Sequence, residues 1–444
     1  MASINNRWHK VKLSSFCDVI MGQSPPSSTY NEEGKGLPFF QGVKDFGRIY
    51  PSKRVYCTAN TRKIAEADDV LLSVRAPVGE VNIASERCII GRGIAALRVK
   101  TRNKNDQRFL YYLMLFNKKI WGQLHSGTTF EEITREDIEN LEVFIPENIL
   151  ERHKIAEILG SLDDKIELNY EMNKTLEAIA QAIFENWFVD FEPFKNELVY
   201  NEELGKRIPE GWKVGKLEDV LSEIESGYRP PGGVSNIKCG IPSIGAEHII
   251  GLGKFDYSKI KYVPIDFFDK MKRGKVRNGD VLLYKDGAYV GRKTYFDYDF
   301  PFEKCCVNEH VFILRTNELV TPKYLYFWLD QKWVTNILIN MSLTSAQPGL
   351  NQQSLKTVPI LIPEKQVVQR FDKTIEPFIA LIFMNAKEAR VLEQIRDALL
   401  PKLLSGEIRA KVDVEREFAE ETKKLKEIKK EKVKLQETLD KWLK

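Results

Sequence analysis

Histidines, cysteines and paired carboxylates are the side chains of this 444-residue sequence that could hold a metal or carry a nucleophilic step, and they are dispersed. His9, His125, His153, His248 and His310 each stand alone, with no two at metal-ligand spacing. Cys17, Cys57, Cys88, Cys239, Cys305 and Cys306 form no C-x-x-C pair, and the vicinal Cys305-Cys306 reads as strand packing. A chain of this size needs no disulfide framework, so the thiols read as reduced and the compartment as cytoplasmic. Asp163-Asp164 falls on a helical stretch, where a carboxylate pair is expected to be solvated. There is no G-x-x-x-x-G-K-[ST] phosphate cradle, no strand followed by G-x-G-x-x-G, and no Asn/Asp-Pro-Pro-aromatic tetrapeptide of methyltransferases. Nothing assembles into a nucleophile, a base and a group to orient the base. The expectation is a chain with no catalytic residue, no metal site and no cofactor of its own.

Composition agrees with a soluble multidomain protein. Hydrophobic residues make up 43% of the chain, and no apolar run reaches the roughly 20 residues of a membrane span. The formal net charge is +4, which excludes a polybasic coat and leaves any electrostatic footprint local.

The elements that must position any functional group are two long helices. From Glu151 to Phe194 there is no proline before Pro193. With Ile155 at heptad position a, that series reads Ile155, Leu162, Asn169, Leu176, Ile183; the e series reads Leu159, Ile166, Asn173, Ala180, Trp187; and Ile158, Met172 and Ile179 occupy d. The same pattern returns from Phe371, with Phe378, Asn385, Leu392 and Leu399 at a. Asn169 and Asn385 are the single polar a residues of their helices, so they either fix the register of a coiled coil or mark a wet part of its seam.

The repeat extends beyond the helices. WHKVKL from Trp8 matches WKVGKL from Trp212; Pro25-Pro26 matches Pro230-Pro231; GLPFFQGV at 36–43 matches GIPSIGAE at 240–247. Asp69-Val-Leu-Leu matches Asp280-Val-Leu-Leu, Leu97-Arg98 matches Leu314-Arg315, and Ile145-Pro-Glu matches Ile362-Pro-Glu. Short β-branched strands punctuated by Gly and Pro, then a short helix, make each copy an α+β module. The fold expected is therefore α+β: two similar α+β modules separated by two long antiparallel helices forming a coiled coil, a pseudo-two-fold internal repeat. The modules span 1–150 and 212–365, the helices 151–194 and 366–410, and 195–211 is an extended surface linker. Residues 411–444 form a charged amphipathic helix that either prolongs the coil, docks on a partner or stands solvated.

Several stretches together resemble one family. ENWFVDFEPF at 185–194 with GKRIPEGWKVGKLEDV at 205–220 is similar to the centre of type I restriction–modification specificity subunits. RAPVGEVNIA at 75–84, CIIGRG at 88–93, SGTTFEEI at 126–133 and SAQPGLNQQSLKTVPILIP at 345–363 resemble the target recognition domains of that family. KIAEILGSLDDKIELN at 154–169 and LLPKLLSGEIR at 399–409 resemble its conserved helices. The resemblance implies a non-catalytic DNA-binding subunit that reads a split double-stranded target, one half per recognition domain, with a spacer set by the helices. It implies two methyltransferase subunits that bind S-adenosylmethionine, and two restriction subunits that use ATP and Mg. Two other readings remain open: a coiled-coil scaffold with no DNA specificity, and a self-contained methyltransferase or nuclease with duplicated recognition domains.

Phosphates call for Lys or Arg, and base edges for Arg, Lys, amide or hydroxyl groups on loops. On the family reading the first module offers Gln23, Ser24, Tyr30, Gln41, Lys44, Arg48, Lys53, Arg54, Arg75, Arg92, Thr128 and Thr129. The second offers Tyr228, Arg229, Glu247, His248, Lys285, Tyr289, Arg292, Lys293 and Gln347. Arg92 and Arg292 stand out because an adjacent glycine permits close backbone approach. Trp187, Phe188, Phe191 and Phe194 either dock a partner or pack the end of the helix.

Overall fold

The computed structural model describes residues 8–124, 132–202, 205–344, 349–410 and 419–442. The chain divides into two units, Met1–Lys165 with Leu392–Lys423, and Ile166–Val391 with Lys424–Lys444.

In the first unit an antiparallel sheet runs in the order Cys17–Met21, Ile94–Val99, Val70–Ser73, Val81–Ile83. Every residue of Val70–Ser73 is buried, so Val70, Leu71 and Leu72 form a continuous apolar run rather than an alternation. The helix Lys104–Phe116 covers this sheet; it starts at Asn103, whose side chain accepts from the backbone N–H groups of Asn105 and Asp106. A second sheet holds Tyr30–Asn31, Tyr56–Cys57, Leu37–Phe40, Cys88–Ile90 and Ile64–Ala65, with one parallel pairing, Phe39 with Ile89 and Phe40 with Ile90. Trp8–Lys12 pairs with Glu142–Pro146, so the module closes on itself before the long helix leaves it.

The second unit repeats this pairing. Its antiparallel sheet runs Leu221–Ser226, Val311–Thr316, Asp280–Tyr284, Lys293–Phe296. Its smaller sheet again has one parallel pairing, Ser243 with Cys306 and Ile244 with Val307. Lys213–Lys216 pairs with Pro359–Ile362. The repeated motifs acquire a physical meaning here. Arg98 Nε donates to Asp69 at 2.8 Å, and Arg315 Nε donates to Asp280 at 2.7 Å, so each D-V-L-L aspartate is the partner of an L-R arginine on the neighbouring strand. Both carboxylates are 3% exposed. Burial pushes the Asp280 carboxyl above its usual range in spite of Arg315.

The linker at 195–211 is not a simple extended connection: Leu198–Asn201 pairs antiparallel with Lys206–Pro209, and Ile208 is buried. The proline two residues before Gly211 ends the second strand.

Each long helix is 40 residues, Ile149–Phe188 and Lys365–Leu404, or about 60 Å at the α-helical rise. Within the second unit they are antiparallel: Asn173 meets Ile382 and Asn385, whereas Phe184 and Phe188 meet Phe371. The e series stays buried through Ala180, but the a and d positions Ile158, Leu162 and Met172 are only partly buried, and the pattern then slips. Ile183 and Trp187 are only partly buried and Ile179 is 39% exposed, while Phe184 and Phe188 are fully buried. A straight α-helix drifts about 20° per heptad against a strict seven-residue repeat, so after four heptads the inner face has moved by nearly one residue. The second helix escapes this correction because residues 377–386 are buried all round. Phe383 there packs on Tyr298 and Phe300 of the recognition module, at ring distances of 5.7 and 5.8 Å.

Asp163 also departs from expectation. It is 1% exposed, accepts from Tyr112 Oη at 2.7 Å and from Arg396 Nη1 at 2.8 Å, and so ties the first module to both long helices inside the first unit.

The C-terminal helix Ala419–Trp442 is neither solvated nor free. Leu435 and Leu439 join the core of the second unit, and Lys432 reaches a buried polar layer between the long helices. Asn169 and Asn385 are both 0% exposed in that layer. Asn385 donates to Asn173 Oδ1 at 2.7 Å, and Asn169 donates to Glu388 Oε2 at 3.0 Å. Lys432 Nζ donates to the same Glu388 oxygen at 2.6 Å and to Asn169 Oδ1 at 3.2 Å. Glu388 is 1% exposed, so the charge on the terminal helix is what makes its burial tolerable.

Lys432→Met is expected to destabilise the chain by about 3–5 kcal/mol in urea unfolding, and adding Glu388→Gln is expected to restore most of the loss; equal stability of Lys432→Met and the parent would refute the role of the layer. A second expectation concerns pH. Burial pushes the Asp372 carboxyl from 3.8 up to about 6, although Thr321 Oγ1 donates to it at 2.7 Å. Between those values the folded chain binds more protons than the unfolded one, so stability falls as pH rises from about 4 through 6. Asp372→Asn should flatten that part of a stability–pH curve.

Candidate nucleic-acid interface

In the first module, five of the sequence-selected residues converge. Ser24, Gln41, Lys44, Arg75 and Arg92 line one open depression of about 470 Å³ together with Gly42, Pro77 and Gly93. The floor is the end of the parallel pair: Gly91 N–H donates to Phe40 O at 2.8 Å, and the chain reverses at once, with Ile94 N–H donating back to Gly91 O at 3.1 Å. Arg92 sits at the tip of this turn. Its backbone N–H donates to Ser24 Oγ at 3.3 Å, and its exposed guanidinium has no partner among the described residues. The flanking glycines serve this turn rather than an incoming ligand. A Cβ on Gly91 would meet Gln41 Cα at 3.2 Å, and one on Gly93 would meet Gln41 O at 2.4 Å.

The other candidates of this module divide by their partners. Arg75 Nη2 donates to both carboxylate oxygens of Glu132, at 3.0 and 3.1 Å. Lys44 Nζ donates to Gln41 Oε1 at 3.3 Å, and Lys53 is ion-paired with Glu86, whose hydrogen bond raises the lysine pKa. Gln23 and Arg54 are exposed. Two expectations need correction. Arg48 is held by Glu393 of the second long helix at 2.7 Å and packs the module within its own unit. Tyr30 donates its hydroxyl to Pro25 O at 2.7 Å and lays its ring on Phe39, so it closes its own loop. Thr128 and Thr129 lie outside the described residues.

In the second module the corresponding turn is Asn308 to Val311. Asn308 N–H donates to Ile244 O at 3.0 Å and Val311 N–H to Asn308 O at 3.4 Å. Its tip carries Glu309 and His310, which the sequence reading missed. Arg229 Nε lies 3.0 Å from Glu309, His310 Nε2 lies 3.2 Å from its other oxygen, and His310 Nδ1 is 2.7 Å from Asp286. Glu247 is ion-paired with Lys261 at 3.6 Å, and Lys285 lies over the Phe312 ring at 5.0 Å. Away from this turn, Arg292 stacks on exposed Tyr289 at 3.9 Å and borders a depression of about 580 Å³ with Lys254, Lys332 and Asn336. Aligning GRG at 91–93 on NEH at 308–310 through the repeated strands was the signal that would have found Glu309.

Two further expectations, His248 and Lys293, are overturned here. His248 is 1% exposed, accepts the Gly245 N–H on Nδ1 at 3.0 Å and stacks on Phe255; burial pushes its pKa down, and the neutral ring closes a turn. Lys293 is 7% exposed, bonded to Asp330 at 3.1 Å and Thr335 at 2.8 Å, and burial lowers its pKa. Tyr228 packs on Phe267 in a local core. Gln347 lies outside the described residues. The aromatic cluster is likewise core rather than a docking patch. Phe188, Phe191 and Phe194 are buried around Trp212, and partly buried Trp187 packs on Phe194 and Phe371 under Arg370.

The model for the type I restriction modification DNA specificity domain matches this sequence twice, over residues 5–178 and 209–394. The chain belongs to that family. The two matches cover the two repeats, each with its recognition module and the first half or more of its long helix. Among curated proteins, the type I restriction enzyme MjaIX specificity subunit of Methanocaldococcus jannaschii is 29% identical over 435 residues, covering 92% of this chain and 95% of that one. The EcoBI specificity subunit of Escherichia coli is 22% identical over 441 residues, covering 92% and 88%. The solved type I S subunit from M. genitalium matches with a TM-score of 0.60 at 18% identity, over 91% of this chain and 98% of that one, which supports the fold. This chain is thus a type I specificity subunit, the non-catalytic DNA-recognition component of such an enzyme. Among the described residues no helix is long and apolar enough to cross a membrane, and no cluster of metal-ligating side chains forms.

Because Phe188 is core, Phe188→Ala should cost about 3–5 kcal/mol in urea unfolding. Arg54→Ala and Arg292→Ala, at exposed positions, should stay within about 0.5 kcal/mol of the parent. A Phe188→Ala chain of unchanged stability would restore the docking reading.

Proposed function

We propose that this specificity subunit reads a bipartite double-stranded DNA target, one half per recognition module, and leaves the bases between unread. The observation that carries the reading is the repeat itself: the same strand pairings and the same reversed turn recur with different side chains at the tip, Arg92 in one module and Glu309 in the other. Two copies of one scaffold with unlike tips are what recognition of two unlike half-sites requires. On this reading the chemistry belongs to other chains of a cytoplasmic complex. Two methyltransferase subunits bind S-adenosylmethionine and methylate adenine beside each half-site, and two restriction subunits supply ATP- and Mg-dependent translocation and cleavage. Support for partner chains comes from the relatives, which are named as subunits of type I restriction enzymes. The long helices and their terminal third helix are the scaffold on which those partners assemble.

Binding of the purified chain to random duplex should be measurable at roughly 50 mM salt and fall about a thousandfold by 200 mM, as counterion release at six or more phosphates requires. Selection from a randomised duplex pool should then return a split motif. An absence of binding at low salt would leave only a protein-interaction scaffold.

A further inference from the structure

We propose that the reversed turn reads DNA with opposite hydrogen-bonding sense in the two modules: Arg92 donates to the O6 and N7 of a guanine in one half-site, and Glu309 accepts from the exocyclic amino group of a cytosine or adenine in the other. This assignment rests on the split-target reading above and adds to it the chemistry of one base pair in each half.

The equivalence of the two positions is geometric. Phe40 pairs with Ile90 as Ile244 pairs with Val307, and the turn follows immediately in both. The backbone bonds that close the turn are the same, Gly91 to Phe40 and Ile94 to Gly91 in one module, Asn308 to Ile244 and Val311 to Asn308 in the other. A glycine is also pressed against each turn: a Cβ on Gly22 would meet Gly91 O at 2.1 Å, and one on Gly227 would meet Val307 O at 1.6 Å. Arg92 and Glu309, each two residues past the paired strand, occupy the same place.

Their chemistry is reversed. Bidentate contact to guanine needs a planar guanidinium whose donors are unspent. Arg75 shares the depression with Arg92 but commits its Nη2 to Glu132, whereas the Arg92 guanidinium has no partner among the described residues. The other donors at the rim, Lys44 and the Gln41 amide, add to the donor character of that site. A bare carboxylate facing a polyanion is repelled. Glu309 has Arg229 at 3.0 Å, which offsets its charge, and His310 at 3.2 Å, and it stands half-exposed at the tip. Oε2 is buried on the Arg229 side, so acceptance from a base amino group falls to Oε1, which keeps a lone pair beside its 3.2 Å contact with His310.

The test is selection of bound sequences from a randomised duplex pool by the full chain, run on the parent, Arg92→Ala, Arg92→Gln and Glu309→Ala, with thermal unfolding confirming that each is folded. The parent should select guanine at one position of one half-site and a cytosine or adenine at one position of the other. Arg92→Ala should erase roughly ten- to a hundredfold of discrimination at the guanine alone, and Arg92→Gln should move that position toward adenine. Glu309→Ala should flatten the amino-bearing position and leave the first half-site intact. Uniform weakening of all sequences by Arg92→Ala would make it a phosphate contact and overturn the assignment while the split-target reading stands. Loss of preference in the same half-site from both substitutions would also overturn it. A parent chain that binds but selects no split motif would overturn both.

Discussion

The recognition modules depend on one buried ion pair, made twice. Asp69 and Asp280 each stand at the entry of the central strand of a four-stranded sheet, almost out of water, where a carboxylate without a partner is costly. Arg98 and Arg315 answer them from the adjacent strand near its far end. The pair therefore fixes the register of two neighbouring strands at one end of the sheet. The opposite ends of those strands, Ser73 and Ile94 in the first module, are where the Arg75 loop and the Arg92 turn leave and enter. A contact that contributes nothing to DNA chemistry thus decides where the DNA-facing side chains stand. In the second module the same arginine also gathers Glu223 and Glu225, so the lock is heavier there.

The long helices solve a different problem. An asparagine in an apolar seam constrains register only if its partner lies in a matching layer. Asn385 finds Asn173, but the position that should answer Asn169 by repeat symmetry is Ala389, and the neighbouring Glu388 takes its place. That substitution breaks the symmetry of the layer and leaves a buried carboxylate. The terminal helix resolves it with Lys432, the one charged residue of its inner stripe among Leu425, Ile428, Leu435 and Leu439. The third helix is therefore part of the second unit's packing and not an appended tail.

The fold class and the repeat were legible because they rest on period and on paired motifs, both of which survive in a single sequence. D-V-L-L and L-R were visible as repeats, but their being two halves of one contact was not, since strand adjacency is a tertiary fact. The heptad register failed at Phe184 and Phe188 because the actual helix keeps 3.6 residues per turn. Among the interface candidates, Ser24, Gln41, Lys44, Arg75 and Arg92 lie around one depression, a proximity that strand pairing creates and spacing alone does not show. It also included Lys293 and His248, whose residue types suit DNA but whose side chains are spent inside the fold. Burial of an individual polar side chain depends on what packs over it, and loop composition does not encode that.

The turn that carries Arg92 and Glu309 shows why one scaffold can change its specificity at little cost. The two hydrogen bonds the copies share are backbone to backbone, and neither uses the side chain of the tip residue. The steric demands are met by an exchange of size across the contact. Where the first module has Gln41 at the strand end it has glycines at 91 and 93, and a Cβ on Gly91 would crowd Gln41 at 3.2 Å. Where the second module has side chains at Asn308 and His310 it has Gly245 at the strand end, and a Cβ there would meet Asn308 Nδ2 at 2.9 Å. The bulk moves from one side of the contact to the other. Because the shared backbone bonds do not involve the tip side chain, the same turn carries an arginine in one copy and a glutamate, steadied by Arg229, in the other, and the charge presented to DNA is reversed.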